Sequence, residues 1–284
     1  MYEKYLQQLA VEGKLRNLKE RSIFTYTVYT RKFLTTVGKK PEALTCDDVR
    51  TFLLQKQKEG LKSATLNLYN SSIRFFYKNV LHVLWDDNQV PRMRMDYKVP
   101  VVLTRNEVER LLDSTANLKH RALLATMYSS GLRVSEVAHL HYEDISRTRH
   151  QIHVRETKSR SDRYTILSER NLQILTEYWF ACGKPRGILF PSSITGTYMT
   201  NNGIEAVMKQ AVQRAGIPVN ATPHSLRHSF ATHLMEDGVD PRCIQALLGH
   251  RDPKSTEIYL HISNKTLMGI KSPLDRKQEG ESNV

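Results

Sequence analysis

Between Pro223 and Leu234 the chain reads PHSLRHSFATHL, with two histidines and an arginine in its first turns. His224 and Arg227 are three residues apart and share one face of a helix. That face lies at the helix N-terminus, where open backbone N–H groups and the dipole favour an anion. An imidazole and a guanidinium there could grip a phosphate. A metal site would use His224 and His228, four apart. It lacks the Glu of a zincin motif, because position 225 is Ser, and no Cys pair lies nearby. The plainer reading of the same stretch is a capped helix carrying solvated polar residues.

Three further stretches carry residues suited to chemistry. In GLRVSEVAHL, Arg133 follows the helix-stopping Gly131, and Leu132 and Val134 flank it with apolar bulk. Partial burial is expected, and a buried guanidinium needs an anionic partner. Glu136 is one candidate and a bound phosphate is another. The stretch QIHVRETKSRSDRYTIL holds Lys158, Arg160 and Arg163 between two β-like segments, and Lys158 is the one lysine between Lys119 and Lys184. Arginine does not readily lose a proton, so only the lysine could act there as a general acid. A solvated charged turn is the alternative. In LLGHRDPKSTEIYL, His250 follows Gly249, and Tyr259 comes nine residues later. Asp252 and Pro253 form an N-cap and first-turn pair, which puts Tyr259 on a short helix. Taken alone, a tyrosine beside Ile258 and Ile262 reads as a core or interface residue.

The elements that must carry these residues are mostly helical. Thr222 is a suitable N-cap and Pro223 a suitable first residue, with Leu226, Phe230 and Leu234 on one core-facing stripe. Thr104–Arg105–Asn106–Glu107 is a capping box opening the second half of the chain, with helices through Leu124 and Val137 to follow. Ile152 and Val154 alternate, and β character returns at Tyr164–Leu167, which predicts a β-hairpin with a charged tip. Helices resume from Ser168 and Thr200. In the first third, Thr45 to Asp48 resembles a capping box with Asp in place of Glu, and its helix stops at Gly60. Another helix starts at Ser63 and carries apolar residues at helical spacing as far as Leu84. SIFTYTVYTRKFLTTV has strand-like composition, but Tyr26, Tyr29, Phe33 and Val37 favour a helix. DDNQVPRMRMDYKVP, with Pro91 and Pro100 bracketing Arg92, Arg94 and Lys98, reads as an extended linker.

The 284 residues suffice for two domains, and 40% hydrophobic content suffices for their cores. The formal net charge is +13, which calls for a polyanionic partner or an acidic membrane surface. Per residue the first third is the more basic. No apolar run approaches the roughly 18 residues that span a bilayer, and the N-terminus is not patterned as a signal peptide, so nucleic acid leads as partner. Cys46, Cys182 and Cys243 have no ligand-like spacing, which suits a reduced, cytoplasmic protein.

In this order and spacing, GLRVSE, the lysine-tipped hairpin, HSLRHSFATHL and LLGH with its following tyrosine resemble the tyrosine recombinase (phage integrase) family, Xer-like members in particular. The resemblance covers nearly the whole chain. It implies a mainly α fold with a small antiparallel β element. Residues 1–88 would form a helical core-binding, DNA-binding bundle and 89–100 a linker. Residues 101–274 would form a mixed α/β catalytic domain and 275–284 a polar tail. It implies that Arg133, Lys158, His224, Arg227, His250 and Tyr259 are catalytic, with Tyr259 the nucleophile, and that Glu136 braces Arg133. One departure from the family pattern is Ser159, where hairpins often have Gly after the lysine.

The implied activity is site-specific recombination of double-stranded DNA through a 3′-phosphotyrosyl intermediate, with no metal or other cofactor. It would serve integration and excision of a mobile element or resolution of chromosome dimers. A homotetramer would assemble on two DNA sites, with accessory DNA-bending proteins left open. A type IB topoisomerase and a DNA-binding regulator without chemistry are the rival readings. The compact Xer-like layout argues against the first, and the intact residue set against the second.

Overall fold

The computed structural model describes residues 2–95, 99–155 and 162–249. The chain divides into two compact units, residues 1–98 and 99–284. The fold is mainly helical with one small antiparallel sheet, as the sequence predicts.

The first unit contains α1 (Glu3–Leu15), α2 (Glu20–Val37), α3 (Cys46–Lys58) and α4 (Ser63–Phe76), the last running into a π-helical turn at Tyr77–Leu81. The strand-like composition of α2 yields to packing. Phe33 and Leu34 are fully buried, and Tyr26, Tyr29 and Val37 pack on the same core. The aromatic interior is built edge to face, Phe33 on Phe52 and Phe52 on Tyr69, each pair 5.2 Å apart between ring centres. Such pairs add to what area burial alone supplies. Thr45 and Asp48 form the expected capping box on α3.

Two features differ from expectation. The helix expected to run to Leu84 ends at the π turn, where His82 takes a left-handed φ of 56°, and Leu84 is exposed. The stretch expected to begin the linker is partly held by the first unit. Asn70 Nδ2 donates to the carbonyls of Val90 and Pro91 at 3.2 and 3.3 Å. Asn67 exchanges two hydrogen bonds with Met93, at 2.9 and 2.8 Å. These two amides satisfy backbone groups that an extended linker would leave to water. Residues 96–98, in the middle of that stretch, lie outside the described residues.

The second unit is built around α6 (Leu118–Ser130). Residues 122–127 are all buried, so this helix is enclosed rather than amphipathic. On it pack α5 (Arg105–Asp113), α7 (Val134–Ala138), α8 (Glu169–Ala181) and α10 (Pro223–Glu236), while α9 (Asn201–Arg214) packs on α5, α7 and α10, and α11 (Pro241–Leu248) packs on α10. Thr104, Ser168 and Thr200 cap α5, α8 and α9 as expected. The sheet has the order β1 (Ile145–Ser146), β2 (Gln151–Val154), β3 (Arg163–Ile166), antiparallel throughout. Ile152 pairs with Thr165 and Val154 with Arg163, and Ile152 and Val154 face the core. From β3, Thr165 Oγ1 donates to the carbonyl of Ser130 at 2.8 Å, which pins the sheet to the last turn of α6.

Candidate active site

The site begins at the turn between α6 and α7. Gly131 ends α6 with a φ of 62°, a left-handed conformation that side chains other than glycine's resist. The turn also passes close to α10, since a Cβ at Gly131 would lie 2.5 Å from Phe230 Cδ1. Arg133 then opens α7. Its backbone N–H donates to Glu136 Oε2 at 2.8 Å and its Nη1 to Glu136 Oε1 at 2.6 Å. The guanidinium is partly buried and paired with Glu136, the first of the two partners the sequence allows.

On α10, Thr222 and Ser225 join across the first turn, the Thr222 N–H donating to Ser225 Oγ at 3.0 Å. Leu226 and Phe230 are buried and Leu234 packs on the same face. Arg227 is also buried, with 4% exposure. Its Nη1 donates to the carbonyl of Gly131 at 2.6 Å and its Nη2 to that of Leu248 at 2.7 Å. The second arginine therefore ties α10 both to the turn that presents Arg133 and to the end of α11. His224, at the exposed start of α10, stands one turn from the half-buried His228. Burial first, then the charges of His224 and Arg227, lower the His228 pKa to about 4, so that imidazole is neutral at pH 7.

Arg163, read from the sequence as part of a charged tip, is not solvated. Its side chain is 11% exposed and meets Glu136 edge to edge, Nη1 to Oε1 and Nη2 to Oε2, both at 2.8 Å. Its Nε donates to the carbonyl of Leu247 at 2.8 Å. The only sequence signal was a β-strand whose first residue is an arginine. Its partner is 27 positions away, which no local pattern reveals.

Three guanidiniums thus converge on one carboxylate, Arg227 Nη1 being 3.8 Å from Glu136 Oε2. Burial pushes the Glu136 pKa up. Hydrogen bonding and charge from Arg163, then the N–H and charge of Arg133, outweigh it and bring the pKa down to about 2. Among the described residues, one carboxylate thus meets three guanidiniums, and fork donors of that kind suit an anion with several acceptor oxygens. Among the described residues, no group of three or more His, Cys, Asp and Glu could hold a metal ion.

Arg133, Glu136, His224 and Arg227 are therefore on elements that meet at the Gly131 turn. Lys158, His250 and Tyr259 lie outside the described residues. Along the chain, the described residues that border those segments are Arg155, Asp162 and Gly249, and the Gly249 carbonyl is 3.5 Å from Arg133 Nη2.

Residues 101–266 match the phage integrase family, and residues 3–87 match the phage integrase N-terminal SAM-like domain. The tyrosine recombinase XerA of Pyrococcus horikoshii is 31% identical over 267 residues, covering 93% of this chain and 90% of its own. Among solved structures, the XerH site-specific recombinase bound to palindromic difH substrate superposes with a TM-score of 0.72 at 22% identity, covering 93% of this chain and 82% of its own. The Tn1549 transposon integrase in complex with transposon right end DNA gives 0.71 at 18% identity, covering 93% and 98%.

Proposed function

The chain belongs to the phage integrase family of tyrosine recombinases, DNA strand-exchanging enzymes, and from that premise we propose that it recombines double-stranded DNA at specific sites through a 3′-phosphotyrosyl intermediate. The observation that carries the reading is the convergence of Arg133 and Arg227 on the Gly131 turn, with Glu136 holding the first of them.

Attack on a phosphodiester builds negative charge on the two non-bridging oxygens. Arg133 and Arg227 are planar fork donors suited to that charge, and His224 adds a donor from the helix N-terminus. Tyr259 supplies the nucleophilic oxygen. It forms the new bond to phosphorus as the bond to the 5′ oxygen breaks. The tyrosine hydroxyl has an ordinary pKa near 10, so its proton must be accepted as it attacks, and His224 and His250 are the available carriers. Lys158 gives a proton to the departing 5′ oxygen. Attack on the phosphotyrosine by the 5′-hydroxyl of another strand reverses these steps. The phosphoester energy is kept, so neither ATP nor a metal is required by the scheme. A homotetramer on two sites would exchange strands in pairs, in integration and excision of a mobile element or in resolution of chromosome dimers. The DNA held by the XerH and Tn1549 proteins supports a duplex partner.

The test is covalent trapping. Genomic fragments retained by the purified protein supply the DNA site, and a nicked duplex built on it traps any phosphotyrosine. The wild type should form a protein–DNA adduct. Tyr259→Phe should form none while shifting the same duplex with near wild-type affinity. Normal cleavage by the Phe variant would remove Tyr259 from its role. DNA binding with no adduct from the wild type would make the protein a regulator.

A further inference from the structure

We infer that Arg163 is a positioning residue for this site: its guanidinium locks the Glu136 carboxylate that holds Arg133 and joins it to the end of α11. The inference rests on the recombinase reading above. All three nitrogens of Arg163 are used inside the protein. Two take both oxygens of Glu136 and the third takes the carbonyl of Leu247, each at 2.8 Å. With Nε and both terminal nitrogens committed in this way, its role is to position Glu136 and the end of α11.

What it joins makes the role more than an ion pair. Glu136 also receives the backbone N–H and Nη1 of Arg133. The Leu248 carbonyl, next to the one that Arg163 takes, receives Arg227. Arg163 leads out of the segment that contains Lys158, and α11 leads into the segment that contains His250 and Tyr259. One side chain thus joins β3, α7 and the end of α11. Gly249 is shaped to the same purpose. Its φ is +64°, and a Cβ there would come within 2.8 Å of Arg163 Cδ, so the backbone runs directly over the arginine stem. By contrast, in the pair Arg170–Glu109 both side chains are about half exposed, which is the setting of weak surface pairs. Lysine could not replace Arg163, because an ammonium lacks the fork that spans a carboxylate edge while a third donor reaches a carbonyl.

The test uses the trapping duplex on the full chain, comparing wild type, Arg163→Lys, Arg163→Met, Glu136→Gln and the double variant Glu136→Gln/Arg163→Met. At saturating DNA, each Arg163 variant should cleave about 10- to 100-fold more slowly, with duplex affinity within about twofold of wild type. The double variant should be no slower than the worse single one, because both changes disable the same contact. If the Met variant fails to fold, Arg163→Lys, which keeps the charge against Glu136, carries the test. Cleavage by Arg163→Lys within about threefold of wild type, or a double variant whose loss is the product of the single losses, overturns the inference. Absence of a wild-type adduct is a different result. It overturns the recombinase reading first, and this inference with it.

Discussion

Arg227 on α10 donates to the carbonyl of Gly131 at 2.6 Å, across 96 positions of sequence. The second arginine of the site thereby buttresses the turn from which the first one projects. A change at either residue should be felt at both.

Arg227→Lys should damage both stability and cleavage. An ammonium on a shorter reach cannot serve the carbonyls of Gly131 and Leu248 together and leaves one buried acceptor unsatisfied, at a cost of about 1–3 kcal/mol. Loss of one donor to the developing phosphate charge should slow cleavage by about 10²–10³. Arg133→Lys should match it in rate, since the fork is lost there too. Single-turnover cleavage within about threefold of wild type for either variant would count against the paired clamp.

Gly131→Ala should lose about 2 kcal/mol or more, from the left-handed backbone and the collision with Phe230. Gly183 also has a positive φ, but a Cβ there would have nothing within 4 Å, so Gly183→Ala should lose only the backbone part. Urea unfolding of the two variants side by side measures the difference. Equal losses would mean that α10 does not press on the turn.

Stability should fall in acid in two steps. His228 has its pKa lowered to about 4, so the unfolded chain binds the proton more readily, and stability held above pH 6.5 declines as pH drops toward 4. Glu136 has its pKa lowered from 4.5 to about 2, so its contribution is full above about pH 4.5 and is lost as pH falls toward 2. That second step should be on the order of 3 kcal/mol. Urea titrations from pH 7 to pH 3 should show His228→Gln reducing the upper step, to which the partly buried His120 and His233 also contribute, and leaving the lower one. A wild-type profile with no slope between pH 6.5 and pH 4 would contradict the neutral His228.

Lys158→Ala should slow cleavage by about 10²–10³, the scale for losing one group that acts in the transition state. A duplex with sulfur in place of the bridging 5′ oxygen should recover much of that rate, because a thiolate leaves without being protonated. No recovery with sulfur would show that Lys158 is not the general acid.

What could be read from the sequence was what depends on near neighbours. The caps at Thr45, Thr104, Ser168 and Thr200 are recognisable because a cap and its partner lie within one helical turn. The alternation of Ile152 and Val154 marked the hairpin because side chains on a strand change face at every step. Arg133–Glu136 was legible as a candidate pair for the same reason, being three residues apart. The family resemblance added roles to residues but no distances.

Tertiary structure decided everything that joins distant segments. It placed Arg163 on Glu136, turned Arg227 toward two backbone carbonyls, and held residues 90–93 against Asn67 and Asn70. The helix of α2, which the spacing of Tyr26, Tyr29, Phe33 and Val37 favours over a strand-like composition, lays those residues on the core it shares with α3 and α4. A charged side chain or an amide has many possible partners along a chain. Which one it meets depends on how the helices pack, and packing is a property of the whole unit, not of any window of sequence.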